Sequence, residues 1–237
     1  MTLTVCLQGK DGLVLAADSR GTFGDPRGIT AQNDTIKKIY LVGSIGILSA
    51  GGQQGNIIVE EAGRNVEAGK VQGVTAVMQE VRKVAKQRFD EWFTNWPRFP
   101  IPGQSAAYVI PTLQLTIAGY DQESGAFVPK MYSMVSNNEF SPNLHDFGFA
   151  LAGVAQYALY LLNRLYSVDM DVKSLRHLAA YVITETASQD GKVGGPVQMG
   201  VITPSGVAQM LKKDEIDSIL VENEKKNREL QGFFRKR

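Results

Sequence analysis

The chain is poor in the residues that most often carry covalent or acid–base chemistry. A single cysteine, Cys6, excludes an internal disulfide, and its place inside an apolar stretch marks it as a small core side chain rather than a redox group. There are two histidines, His145 in a polar stretch and His177 in the middle of a helical pattern, without metal-ligand spacing. Both read as surface residues, so a serine–histidine–aspartate mechanism has few candidates. No apolar run reaches the ~18 residues that a membrane helix needs, and no basic, then apolar, then small-residue signal opens the chain, so the cytoplasm is the expected location. Net charge is nearly absent as well. At +1 it gives no reason to expect nucleic acid or an anionic membrane as a partner.

What remains is the make-up of a soluble globular protein. The 237 residues are 43% hydrophobic and 21% charged, enough for one large domain, or two small ones, with a substantial core. Thr2, Val5 and Leu7 alternate with smaller or polar residues, Asp11-Gly12 makes a two-residue turn, and Leu13 to Ala17 resumes as an apolar strand. A β-hairpin therefore begins at the second residue. Gly21 to Asn33 reads as a loop, with a short strand at most over Gly28–Ala31. Ile36–Val42 and Ile45–Ala50 follow as strands around a Gly43-Ser44 turn.

From Gln53 the apolar period becomes helical, first to about Ala68 and then from Val74 to Phe93. Three prolines between Trp96 and Gly103 stop the second helix and make a stiff connection. Further strands are expected over Ala106–Ile110, Leu113–Tyr120 and Phe127–Val135, the last two joined by Asp121–Gly125. Asn137–Asp146 reads as a loop. Helices are expected over Ala155–Leu165 and Leu175–Thr186, and a closing hairpin over Val197–Leu211. Lys212–Arg237 is dense in charge, with Ile216, Ile219, Leu220 and Leu230 at helical spacing. It reads as a charged terminal helix after a domain spanning residues 1–211, either a solvated tail or a docking element between subunits.

Strands, two helices, strands, two helices and strands again do not alternate as a doubly wound parallel sheet would. Two antiparallel sheets packed face to face, with a helix pair on each outer side, accommodate that order: an α+β, four-layer αββα sandwich.

The chemistry concentrates at the front of the chain. Removal of Met1 would leave Thr2 with a free α-amine and a hydroxyl on one residue. An amine of reference pKa ~7.7–8.0 is a suitable base for a weak hydroxyl nucleophile. A cation beside the hydroxyl would favour its alkoxide, and a carboxylate would fix the cation. Asp18, Arg20 and the pair Lys37-Lys38 are the candidates. Ser49-Ala50-Gly51-Gly52, a glycine pair after an apolar strand, could supply oxyanion-binding N–H groups.

In these residues the chain resembles the proteasome β-subunit family of N-terminal-nucleophile hydrolases. A leading Thr, the run Asp11–Arg20, Thr35–Ile39 and Ser49–Gly52 occur in family order and near family spacing, and the likeness continues faintly to Asp190–Gly195. With nothing but Met1 before Thr2, it looks closer to the simpler bacterial proteasome-like proteins. The resemblance implies the same αββα fold and a threonine peptidase needing no cofactor or metal. In it Thr2 is the nucleophile, Lys38 its cation, Asp18 the residue that orients Lys38, Gly51 N–H the oxyanion donor, and Asp190 a supporting hydrogen-bonding group near the amine. Gly21, Ile36, Ser49 and Gln53 would line the pocket for the side chain before the scissile bond; none is charged, so apolar or neutral side chains are expected there. The resemblance also implies homo-oligomeric rings that act on unfolded polypeptides or peptides, with an ATP-dependent unfoldase as a candidate partner.

The sequence departs from the family at two hydroxyls. The family serine at the start of the third helix falls on Gly153 or a neighbour within Leu151–Ala155, and the second serine falls on Val193. These losses keep two other readings open: an amidohydrolase or transpeptidase acting on small amides, and a weak or inactive ring-forming scaffold.

Overall fold

The computed structural model describes residues 2–25, 28–94 and 110–235. In chain order its strands and helices are β1 (Leu3–Gln8), β2 (Leu13–Ala17), β3 (Gly21–Asp25), β4 (Gly28–Asn33), β5 (Ile39–Val42), β6 (Ile45–Gly51), α1 (Gln54–Gly69), α2 (Val74–Phe93), β7 (Leu113–Glu123), β8 (Ala126–Val135), β9 (Asn143–His145), β10 (Phe149–Gly153), α3 (Gln156–Leu165), α4 (Val172–Gln189), β11 (Gln198–Ile202), β12 (Ala208–Met210) and α5 (Lys213–Arg235). The stiff connection at Trp96–Gly103 and the expected strand Ala106–Ile110 lie outside the described residues, Ile110 apart.

Three antiparallel units result. One sheet has the order β10-β1-β2-β11-β12, a second has β5-β6-β7-β8-β9, and β3 pairs with β4 as a separate ribbon. Strand alternation explains why β1 and β2 are apolar on both faces. Leu3, Val5, Leu7, Val14 and Ala16 face a core shared with α3, α4 and α5, whereas Cys6, Leu13, Leu15 and Ala17 face Ile39, Leu48, Ala118 and Met131 of the second sheet. The same alternation turns Tyr40, Val42, Ile45 and Ile47 toward α1 and α2. The sheets meet closely: a Cβ on Gly46 would stand 2.2 Å from Leu15 Cδ1.

Several expectations need correction. Gly21–Asn33 is not a loop with one short strand but the β3–β4 ribbon, whose glycines and aspartate disguise the strand pattern. Phe149–Gly153, to which the sequence pattern assigns no element, is β10. It contains no β-branched residue, and pairing with the whole of β1 decides its conformation. The turn after β7 is not Asp121–Gly125 but Ser124-Gly125, both at positive φ as a tight hairpin requires, so β7 and β8 extend further than their apolar cores. A short β9 interrupts the supposed loop at Asn143–His145.

The histidines are not surface residues either. His145 is half-buried with Nε2 2.8 Å from Ser133 Oγ, and burial pushes its pKa below the usual histidine value. His177 is covered by α5, with Nδ1 2.9 Å from Asn223 Oδ1 while Asn223 Nδ2 donates to His177 O at 2.8 Å.

The first half of α5 is thus built into the core. Ile216 and Ile219 join the cluster beneath α4, and Asn227 donates to Glu185. Its far end presents Leu230, Phe233 and Phe234 to solvent. Ile216→Ala should cost about 2–5 kcal/mol, as buried isoleucine truncations do. Phe234→Ser should change stability by less than about 0.5 kcal/mol. Chemical denaturation of both variants checks the contrast.

Candidate active site

The site forms where β2, β6 and β10 end and β1, β5 and β11 begin. Asp18, the residue after β2, is fully buried. Its Oδ1 accepts the Leu3 N–H at 2.9 Å and the Lys38 ammonium at 2.6 Å. Its Oδ2 accepts the N–H groups of Arg20 at 3.1 Å and Gly194 at 3.0 Å. Four donors meet the acceptor capacity of one carboxylate.

Lys38 is 3% exposed. Besides Asp18, its Nζ donates to Arg20 O at 2.7 Å. An ammonium has three donors, and the third has no protein partner among the described residues. Burial pushes the Lys38 pKa below the usual lysine value, outweighing the opposing pull of Asp18. Arg20 is held in turn. Its guanidinium forks onto Asp34 with two 2.8 Å bonds and reaches Gly191 O at 3.1 Å. The arginine bond holds the Asp34 carboxyl below the usual range.

Thr2 is buried, and its carbonyl accepts the Val154 N–H at 2.8 Å. Gly153 comes so close that a Cβ there would lie 1.8 Å from Thr2 O, and its φ of +90° also disfavours any other residue. The Gly153 N–H donates to Gln114 Oε1 on β7 at 2.7 Å, which ties both sheets to the first residues of the chain.

Thr2, Lys38 and Gly51 line one cavity of about 80 Å³, together with Gly21, Ile36, Ser49 and Gln53. Thr22, Phe23, Lys37, Gly52 and Asn56 complete its wall. Lys37 is exposed, and its ammonium stands 4.5 Å from the centre of the Tyr40 ring. Gly51 has φ +107°, and a Cβ on it would stand 2.0 Å from Thr112 O, so only glycine fits. Helix α1 starts three residues later with no side-chain cap and no acidic residue in its first turn, so its positive end borders the cavity uncompensated by side chains. A larger cleft of about 880 Å³ lies at the opposite strand ends, between the β5–β6 and β7–β8 turns. Its most buried acid, Asp121, is already engaged by Thr75 and Lys130, so the small cavity, with Lys38 in its wall, is the better candidate.

Asp190 does not line the cavity. It ends α4, and its Oδ1 accepts the Lys192 N–H at 2.9 Å, shaping the turn that brings Gly194 to Asp18. Val193 is 1% exposed and belongs to the core beneath α4. Gly153 ends a strand and does not open the third helix as the sequence suggested.

Sequence reasoning missed Gln198 and Gln114. Gln198 accepts from the Lys38 N–H at 3.0 Å and donates to Ile36 O at 2.7 Å and Ser19 Oγ at 2.9 Å. The only sequence signal was a polar residue between Val197 and Met199 in an apolar strand. Among the described residues there is no cluster of three metal-ligating side chains, and no helix is long and apolar enough to cross a membrane.

No family model matches the chain. Its sequence is 25% identical over 214 residues to proteasome subunit beta 2 of Caldivirga maquilingensis, covering 86% of this chain and 90% of that protein. Among solved structures it is similar to Anbu, described as an ancestral beta-subunit, from Yersinia bercovieri, with TM-score 0.74, 16% identity and 98% and 96% of the two chains covered. The helical assembly of the Anbu complex from Pseudomonas aeruginosa gives TM-score 0.74 at 17% identity over 98% and 95%. A Gly-1 mutant of Anbu from Hyphomicrobium sp. strain MC1 gives 0.69 at 17% over 100% and 98%. The chain shares their α+β fold of antiparallel sheets, and in sequence it is similar to a proteasome β subunit.

Restoring a hydroxyl at Gly153 is therefore expected to fail. Gly153→Ser should lower stability by more than about 2 kcal/mol through the collision with Thr2 O. Gly43→Ala, at φ +58° with nothing within 4 Å, should cost only about 1–2 kcal/mol. Thermal unfolding of the two variants makes the comparison.

Proposed function

We propose that the chain is a cytoplasmic threonine peptidase of the N-terminal-nucleophile kind, built as a four-layer αββα sandwich over residues 1–211 with a charged helical tail over 212–237. The observation that carries this reading is the buried Asp18–Lys38 pair at a small cavity that Thr2 and Gly51 also line. Loss of Met1 exposes the Thr2 amine. Thr2 Oγ1 attacks a peptide carbonyl while that amine accepts the hydroxyl proton, and the Lys38 ammonium stabilises the alkoxide. Asp18 fixes Lys38, the Gly51 N–H binds the oxyanion, and Asp190 acts at one remove, shaping the turn that brings Gly194 to Asp18. The leaving amine takes the proton, and water then cleaves the acyl ester and restores Thr2.

Gly21, Ile36, Ser49 and Gln53 form the subsite for the residue before the scissile bond. None of these four residues is charged and the cavity is small, which suits small neutral side chains. Strong preference for acidic or basic residues in a peptide library would count against that assignment. The likeness to a proteasome subunit and to a helical Anbu assembly supports self-association, here into a homo-oligomeric ring that admits unfolded chains, with an ATP-dependent unfoldase as partner.

Gly153 and Val193 favour a second reading, because neither slot offers the hydroxyl that relays protons in the family. Turnover would then be slow, acyl transfer to amines or small-amide hydrolysis would compete, or the chain would be a scaffold that keeps Met1. Intact mass with an epoxyketone or β-lactone separates these outcomes. A protein lacking Met1 that is labelled, while Thr2→Ala is not, is the expected result. Retained Met1 and no labelling would leave the scaffold.

The pH dependence follows from the same groups. Activity should rise as the Thr2 amine loses its proton, near ~7.7–8.0. It should fall again as Lys38 loses its own, and burial places that alkaline limb below the ~10.4 of an ordinary lysine. A rate profile that stays flat to pH 11 would contradict the role given to Lys38.

A further inference from the structure

We infer that Gln198 is the positioning residue that sets where the Lys38 ammonium stands, by clipping the backbone of residues 36–38 to the Asp18-Ser19 turn through one side-chain amide. The inference rests on the peptidase reading for its catalytic consequence, but its structural content is independent of that reading.

Gln198 opens β11 opposite Ala17, the last residue of β2, so its side chain starts beside Asp18. The segment it reaches belongs to the other sheet: Lys38 immediately precedes β5, and Lys38 O accepts the Ser49 N–H of β6. One amide therefore joins the two sheets at the site. Its orientation is determined by its partners. The oxygen faces a donor, the Lys38 N–H at 3.0 Å, whereas the nitrogen faces Ile36 O at 2.7 Å, Ser19 Oγ at 2.9 Å and Asp18 O at 3.4 Å. Ser19 Oγ donates its own proton to Pro196 O, so it is an acceptor toward Gln198. A flipped amide would set its oxygen against two carbonyls and turn its nitrogen toward an N–H.

Two further bonds bracket the clip. Ile36 N–H donates to Ser19 O at 3.0 Å, and Lys38 Nζ donates to Arg20 O. Without Gln198, the Lys38 N–H and Ile36 O lose these partners, and the segment keeps its hold on the first sheet through the Ile36 N–H and the ammonium itself. The ammonium would then both carry the backbone position and stabilise the alkoxide. Gln198 separates those two tasks.

Gln198→Met keeps length and volume while removing every one of these bonds. In the Met1-processed assembly it should slow Thr2 acylation by a β-lactone, and kcat for a peptide, by about 10–100-fold, the range seen when residues that orient a reacting group are lost. KM should move by less than about threefold, because the substrate cavity does not include Gln198. Lysine side-chain NMR of the full chain should show Lys38 titrating closer to an ordinary lysine. Val201→Ala, in the same strand but buried in the core beneath α4, is the control for loss of stability alone, and it should leave kcat and the Lys38 titration unchanged. If Gln198→Met does not fold, Gln198→Asn, one methylene too short to reach Lys38, replaces it. Unchanged acylation and an unchanged Lys38 titration in the folded variant would overturn the inference. If the wild-type chain is not labelled at Thr2, the peptidase reading fails, and the Lys38 titration alone still decides for or against the clip.

Discussion

Two opposite charges, Asp18 and Lys38, are held out of water beside the first residues of the chain. Burying each ion costs several kcal/mol, and their attraction offsets this only when the remaining hydrogen-bonding capacity is also met. On the carboxylate it is met from four places: Leu3 at the start of β1, Arg20 in the turn after β2, Gly194 in the turn after α4, and Lys38 ahead of β5. Gly194 alone lies 176 residues from Asp18 in sequence. The pair is therefore compensated only after both sheets and the 190–197 turn have assembled, so the same interaction that builds the site also selects one arrangement of the fold.

The surroundings show what that constraint demands. Arg20 supplies a carbonyl to Lys38, and its guanidinium is anchored on Asp34 and Gly191, so the acceptor cannot drift with the turn. Glycine serves the opposite need, close approach. Gly51 lies against Thr112 O and Gly153 against Thr2 O, each at a positive φ that a side chain would resist. Rigidity at the charges and contact at the backbone are what give a cavity this small its shape.

Much of this was legible because it follows from alternation. Asp18 ends an apolar strand whose two faces are both covered, and of the two adjacent lysines only Lys38 is buried. What escaped was decided by partners distant in sequence. β10 has the composition of a helix lead-in and becomes a strand because β1 lies beside it. Gln198 looks like an isolated polar interruption, since its function lies in bonds to residues 160–180 positions earlier. The ribbon β3–β4 was hidden because its glycines and aspartate are turn-forming residues that here sit within paired strands.

The absence of a hydroxyl at positions 153 and 193 has two different physical causes, and the difference limits how the site could move a proton. At position 153 the obstacle is the backbone, because any Cβ meets the carbonyl of Thr2. At position 193 the obstacle is the environment, because the Val193 side chain belongs to the buried apolar cluster beneath α4. A serine there would bury an unpartnered hydroxyl at a cost of about 1–3 kcal/mol without bringing it to the cavity. Neither hydroxyl is one substitution away, so proton transfer at Thr2 in this fold would fall to its own amine and to water entering a cavity of about 80 Å³. On the proposed peptidase reading, acylation would follow the same chemistry as in a relay-equipped site, and deacylation would depend on how well that water is held by Lys38's remaining donor and the edge of α1.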